Sequence, residues 1–337
     1  MKPNLLITGA SGFIGSHLIE EALAQGYNVF AAVRKSSKLH FEGHTDVHII
    51  YLDYHNLNAL AEQLVLLKEK FGRFNYIIHN AGITRANTIE EFNKVNNLMP
   101  QLFVQALQLA KNIPDRFLLI SSMAAFGPGD TKSMSPITIH QAMNPISHYG
   151  VSKKAVSAYF LSQSIVPFTI VYPTAVYGPR DKDFIELVKL INKGTEPYLG
   201  LYKQILSMIH VKDLAFAVVS LLTKAPNNSQ YIVSDNKNYN KKELGSIIKQ
   251  ILHKKTFRLS IPVTPILWIA VVVETFYKIF APKKMPLLTR EKIREISCAN
   301  WSCDTNDVWQ TLGTKPQFDL QTGMEQTIGW YKDNGFL

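Results

Sequence analysis

The stretch of residues 4–23, NLLITGASGFIGSHLIEEAL, constrains the fold more than any other. An apolar run, Asn4–Thr8, reads as a buried strand. A glycine turn follows, and then an amphipathic helix from about Phe13. Gly9, Gly12 and Gly15 are spaced G-x-x-G-x-x-G. The first glycine permits the tight turn, the second lets backbone approach a pyrophosphate, and the third lets the helix close on the strand. Backbone N–H groups at the helix start then face the phosphates, assisted by the helix dipole. Gly9, Ser11, Gly12, Phe13, Ile14 and Gly15 are therefore the expected dinucleotide cradle.

The alternation continues with apolar strands at 27–33, 47–53, 75–82 and 116–122 and helical patterns between them, one of them a long helix over 90–112 interrupted at Pro100. This predicts an α/β fold, a Rossmann-like doubly wound parallel sheet with a smaller, mainly helical C-terminal substrate-binding domain. The expected division is 1–175 and 176–337, with residues 205–235 returning to the first domain. Ligands then lie outside the C-terminal strand ends, where Gly9, Arg34, Asp53, Asn80 and Ser122 fall. The second strand ends in Arg34, Lys35, Ser36 and Ser37, and no acid follows until Glu42. Two cations and two hydroxyls suit a ribose 2′-phosphate, so NADP is expected before NAD.

The formal net charge is +10, but the cations are scattered, as at Lys111, Lys182 and Lys241. With no basic stripe, nucleic acid is not expected as a partner; an anionic cofactor, an acidic substrate or a membrane surface accounts for the excess. Cys298 and Cys303 match no C-x-x-C pattern and read as free thiols in a reducing cytoplasm, with no metal site expected. The apolar run near the start is too short for a signal peptide and leads into the glycines.

Ser121 and Ser122 end the fifth strand, and HYGVSK (148–153) begins the next helix after a long loop. Tyr149 and Lys153 are four apart and share a helix face. A long loop in a compact domain is often functional, and here it allows a serine hydroxyl, a phenol and an ammonium to meet. TGASGFIG, HNAG, LLISSMAAFG, YGVSK, YPTAVYGPR and MIHVKDLA occur in that order. In these motifs the chain resembles an extended short-chain dehydrogenase/reductase of the NAD-dependent epimerase/dehydratase superfamily, over nearly its whole length. The resemblance implies Tyr149 as general acid or base. It implies Lys153 on the nicotinamide ribose, lowering the tyrosine pKa, and Ser122, with Ser121 as alternative, orienting the substrate oxygen. It also implies a structural Asn96, and Pro173, Thr174 and Val176 beside the nicotinamide. Asn80, Ala81, Gly82 and Ser121 would run along the cofactor, with Asp53 and Tyr54 near the adenine.

Departures from the family pattern select among its reactions. Met123 and Ala124 follow Ser122 where sugar-nucleotide 4,6-dehydratases carry Asp-Glu. Leu206 stands where many nucleotide-sugar enzymes place an arginine, with Arg180, Arg290 and Lys292 as candidate replacements. The end of the second strand, SMIHVKD and the C-terminal 299–337 segment resemble the dihydroflavonol-reductase and 3-beta-hydroxysteroid-dehydrogenase branch. The expected function is an NAD(P)-dependent oxidoreductase of a hydrophobic ketone or secondary alcohol. The alternatives are a nucleotide-sugar epimerase and a non-catalytic NADP-binding or sensing protein.

Trp268, Phe276, Tyr277 and Phe280 are candidates for lining an apolar cleft, and most are expected in the core. ILWIAVVV (266–273) is followed by Glu274 and falls short of the roughly 20 residues of a spanning helix. Residues 262–284 admit two placements. Packing over the cleft is preferred; the alternative lies on an anionic membrane with Lys278, Lys283 and Lys284 toward lipid. A cytoplasmic homodimer is expected by resemblance. The helix around 98–112 and the helix of Tyr149 would pair with their mates through Leu102, Val104, Leu109, Val156 and Phe160.

Overall fold

The computed structural model describes residues 2–37, 46–280, 286 and 289–337; Glu42, Lys283 and Lys284 lie outside these. In chain order the first part comprises β1 (Asn4–Thr8), α1 (Phe13–Ala24), β2 (Asn28–Ala32), β3 (Val47–Ile50), α2 (Leu57–Phe71), β4 (Tyr76–His79) and α3 (Ile89–Asn93). It continues with α4 (Met99–Leu109), β5 (Arg116–Ile120), α5 (His148–Ser162), β6 (Phe168–Pro173) and β7 (Ala175–Tyr177). Next come α6 (Ile185–Asn192), β8 (Thr195–Leu199), β9 (Ile205–His210), α7 (Val211–Lys224), β10 (Ser229–Val233), β11 (Asn238–Asn240), α8 (Lys241–Ile251) and β12 (Phe257–Ile261). The chain closes with α9 (Val263–Phe280), α10 (Arg290–Ile296), β13 (Asn300–Trp301), α11 (Asn306–Leu312) and α12 (Leu320–Asp333).

Seven strands form one sheet in the order β10-β6-β5-β4-β1-β2-β3, and each neighbouring pair is parallel. The order reverses between β1 and β4, and a crevice opens at such a switch point. β5 and β6 are buried along their whole length, because helices cover both faces of the sheet. One face packs on α1, α7 and α11 around Leu18, Leu222 and Trp309. The other packs on α2, α4 and α5 around Leu64, Phe103, Phe117 and Phe160. Val104 and Val156 belong to this same core, so with Phe160 they are not available to a dimer partner, whereas Leu109 is exposed. A third core joins α6, α8 and α12 around Val188, Ile248 and Ile328. β10 pairs with β6 and so belongs to the large sheet, whereas β9 pairs with β7, β11 and β13 in a small one. β8 and β12 make a separate parallel pair.

The helix expected over 90–112 is three pieces. α3 passes into a π-helical turn, Lys94–Leu98, and then into α4 with Pro100 in its first turn. Pro100, which has no N–H, falls where the hydrogen-bond register shifts out of the wide turn, whose last bond runs from Met99 N–H to the Lys94 carbonyl. The widened turn carries Asn96, which is 1% exposed. Bulges of this kind recur at functional sites.

Candidate active site

The glycine cradle forms at the C-terminal end of β1. Gly9 adopts φ +65°, and a Cβ there would lie 2.8 Å from the Ala81 nitrogen. A Cβ on Gly15 would lie 2.1 Å from the Gly9 oxygen. Gly9 is therefore required for conformation and space, and Gly15 for space. Gly12 N–H donates to the Gly9 carbonyl at 3.1 Å, and α1 starts with no side-chain cap. N–H groups of its first turn, from Phe13 and Ile14 onward, are left for an anion. Asn80 Nδ2 donates to the Gly9 carbonyl at 3.3 Å, and Ala81 N–H to Thr8 Oγ1 at 3.1 Å, tying the end of β4 to the cradle. Arg34 and Lys35 are exposed just beyond β2. Ser37 N–H closes a turn on the Arg34 carbonyl, while Ser37 Oγ is buried without a partner among the described residues. A cradle that side chains would fill, two exposed cations and an orphaned hydroxyl fit a dinucleotide.

At the ends of β5 and α5 the fold brings Ser122, Tyr149 and Lys153 together. Ser147 caps α5, its Oγ accepting from Gly150 N–H at 3.1 Å. A Cβ on Gly150 would lie 2.4 Å from the Ala124 carbonyl. The glycine after Tyr149 therefore lets the 3-10 turn Met123–Ala125 press against α5. Ser122 reaches the Tyr149 phenol, where its hydroxyl favours the ionised form, and its Oγ accepts from Ala124 N–H at 3.1 Å. Lys153 is 6% exposed and donates to the Ile120 carbonyl at 2.9 Å. Its Nζ lies 6.0 Å from the Tyr149 ring centroid. Asn96 Oδ1 accepts from Ile83 N–H, and its Nδ2 donates to the Ile83 carbonyl and to Ser152 Oγ. One amide thus fixes the backbone after Gly82 to α5, beside Lys153.

The sequence profile of the NAD dependent epimerase/dehydratase family matches residues 5–234. The chain belongs to this family. It is 27% identical to a ceramide reductase of Caulobacter vibrioides, over 98% of this chain and 95% of that one. A decarboxylating sterol-4-alpha-carboxylate 3-dehydrogenase of Dictyostelium discoideum is 24% identical, over 96% of this chain and 99% of that one. A UDP-glucose 4-epimerase of Vibrio cholerae is 26% identical, over 97% of this chain and 95% of that one. Among solved structures, a dTDP-glucose 4,6-dehydratase of Bacillus anthracis in complex with NAD shares the fold. Its TM-score is 0.76, at 17% identity over 98% of this chain and 97% of that one.

Within this epimerase/dehydratase framework the structure corrects one expectation, the direction of the Tyr149 shift. Lys153 was expected to lower the Tyr149 pKa, but in the chain alone the phenol moves the other way. Burial, with a smaller contribution from Glu295, pushes it up to about 12 against the opposing hydrogen bond of Ser122. The Lys153 ammonium is directed to the Ile120 carbonyl, and its own burial pushes its pKa down to about 8. Ser121 is engaged with α5, its Oγ meeting Ser157 Oγ at 3.0 Å and the Lys153 carbonyl at 3.4 Å. Tyr54 turns its ring onto Phe103, with its hydroxyl buried and unpartnered among the described residues. Asp53 accepts from His55 N–H within its own turn at 2.9 Å. Pro173 ends β6, Thr174 Oγ1 donates to the Val233 carbonyl at 3.2 Å, and Val176 lies in β7 against the first core.

The aromatic run is placed differently from its expectation. Trp268, Phe276 and Phe280 are exposed, neither in the core nor in the cleft, and Tyr277 is half-buried. α9 does not pack down over the cleft; Ala270 is its buried residue. The apolar run 266–273 is also part of a longer helix. The 18 residues Val263–Phe280, at a mean hydropathy of 1.6, suffice by length and composition to cross a membrane.

α10 supplies residues that no sequence pattern marks. Glu291 Oε1 accepts from His148 N–H at 2.7 Å, at the first turn of α5, and Glu295 acts on the Tyr149 phenol. Both lie far from Tyr149 in the chain. A cleft of about 1190 Å³ opens beside α10, lined by Met134, Ile146, Tyr202, Ile205 and Ala299, with Lys203 and Arg294 also on its wall. The three cations expected to replace the missing arginine are all engaged. Arg180 grips Glu20 at 2.7 and 2.8 Å, Arg290 meets Glu274 at 2.6 Å, and Lys292 lies 3.4 Å from Glu295.

Proposed function

We propose that this protein is an NADP-dependent reductase of a hydrophobic ketone, or dehydrogenase of the matching alcohol, with Tyr149 as proton donor and acceptor. The observation that carries the substrate class is the cleft beside α10, whose lining residue Arg294 precedes the Glu295 that acts on Tyr149. Its wall is largely apolar, Leu206 carries no charge, and Arg180, Arg290 and Lys292 are already paired with carboxylates. Two relatives named for a ceramide and a sterol support the same class. Exposed Arg34 and Lys35 support the 2′-phosphate.

When bound, a nicotinamide cofactor would supply the hydride. Tyr149, held protonated well above neutral pH, donates its proton to the ketone oxygen as the alkoxide develops. Ser122, beside that phenol, orients the same oxygen. Lys153 would hold the nicotinamide ribose, while Asn96 fixes the backbone at Ile83 that shapes the position. Met123 and Ala124 are buried and apolar, so the elimination of a dehydratase has no acid–base pair there.

Lys203 and Arg294 favour a second reading, a nucleotide-sugar epimerase, since both cations line the cleft. Stoichiometry separates the two. With purified protein, NADPH and lipid-like ketones, a reductase consumes one NADPH per alcohol formed, and an epimerase shows no net consumption. Tyr149→Phe should abolish turnover with NADPH affinity nearly unchanged. Retention of more than about 5% of the wild-type rate would refute the role of the phenol.

A further inference from the structure

The outer face of α9 is apolar, exposed and arranged as one stripe. Trp268, Ile269, Val272, Phe276, Ile279 and Phe280 are each more than half exposed. At about 100° per residue these positions fall within about 120° of the helix circumference. The buried Ala270 lies on the other side. Water-exposed apolar surface of this extent marks an interaction site. Phe257 and Leu259 on β12, the strand before α9, are exposed as well, and so is Leu201, after β8. β12 pairs with β8 at Ile261 and Leu199, so Leu201 and Tyr202 follow directly from this edge, and Tyr202 lines the cleft.

We infer that this face is a docking surface for an anionic lipid membrane, on which α9 lies in the headgroup plane without crossing. Charge points to the occupant. Residues 251–300 contain nine Lys and Arg against three Glu, an excess of six out of the chain's net +10. Lys254, Lys255 and Lys278 are exposed in this region, while Glu274 and Glu295 are paired with Arg290 and Lys292. Lys278 lies about 140° from the middle of the stripe, on the water side of a helix laid on its apolar face, and a net positive segment that carries an apolar stripe suits anionic headgroups over acyl chains. Topology opposes the crossing that length alone would permit. Before α9, β12 is hydrogen-bonded to β8. After it, Arg290 at the start of α10 donates from its backbone N–H and its Nε to Glu274 in α9, both at 2.6 Å. The chain then returns through β13 to β9, so both flanks of α9 stay on the same side. The surface rests on its own observations; that it would place the cleft beside a source of apolar substrate rests on the proposed function.

Flotation of the full chain with phosphatidylcholine vesicles carrying about 30% phosphatidylglycerol, at low salt, tests the inference. The wild type is expected to float, pure phosphatidylcholine to retain less of it, and high-pH carbonate to release it. Trp268→Glu combined with Phe276→Glu should lower the floated fraction about tenfold, while the Tm holds and turnover of a short, water-soluble ketone stays within about twofold. Failure of the wild type to float, or a double variant that floats as well as the wild type, overturns the docking. Carbonate-resistant binding overturns it in favour of insertion. A lipid-free loss of oligomer in the double variant overturns it in favour of a second copy of this chain. Flotation that persists with no ketone turned over leaves the docking standing and removes the reductase reading instead.

Discussion

Lys153→Met should stabilise the protein while lowering its activity. The ammonium is 6% exposed, with the Ile120 carbonyl as its hydrogen-bond acceptor, and burial lowers its pKa from 10.5 to about 8. A lysine with a depressed folded pKa binds fewer protons folded than unfolded between those two values. Stability therefore rises with pH across that window, and the full penalty is present below pH 8. At about 1.36 kcal/mol per pKa unit the penalty is about 3 kcal/mol at about pH 7, and it falls to roughly half of that by about pH 9.5. Methionine removes the penalty and loses one hydrogen bond worth about 1 kcal/mol net. The variant should then gain about 2 kcal/mol at about pH 7. Urea unfolding of both proteins at about pH 7 and about pH 9.5, without cofactor, isolates this one group, because every other titration cancels in the difference. The wild type should close on the variant by about 2 kcal/mol between the two pH values. A difference that stays constant, or a variant less stable at neutral pH, would show that the ammonium is not penalised in the folded state.

Arg34→Asp should shift preference from NADPH toward NADH, since a charge-assisted contact of about 1.5–3 kcal/mol is lost and repulsion added; that is a factor of roughly 10–150 in the ratio of Kd values. Tighter NADH than NADPH in the wild type would refute the cofactor assignment. Gly150→Ala places a Cβ 2.4 Å from the Ala124 carbonyl. It should cost about 1–3 kcal/mol of stability and lower kcat more than cofactor affinity, read by urea unfolding and steady-state kinetics. Sedimentation at micromolar concentration should give a homodimer through α4 and α5. Val104, Val156 and Phe160 are fully buried, so the exposed Leu109, Val151 and Leu161, with the half-buried Leu102, are the residues left to make it; Leu109→Glu with Leu161→Glu should yield a monomer.

The sequence by itself determined the doubly wound sheet and the cradle of Gly9, Gly12 and Gly15. Strand–helix alternation is local, and a glycine demanded by a close backbone approach is legible wherever the chain must turn tightly. It also offered Ser122, Tyr149 and Lys153, two of them on one helix face and the third at a strand end, and the resemblance of its ordered motifs to the family implied their roles. Tertiary structure alone decided what these groups experience. Burial and the Ile120 carbonyl, set by how α5 meets β5, leave the Tyr149 phenol raised in the chain alone and turn the Lys153 ammonium to backbone. Ser122 is free to serve the phenol where Ser121 is not, because Ser157 of α5 takes the Ser121 hydroxyl. Glu291 and Glu295 reach α5 only because α10 docks there, a contact that no local pattern encodes. The same holds for α9: its apolar period is plain in the sequence, but whether a stripe faces a core or water depends on what the rest of the chain leaves uncovered.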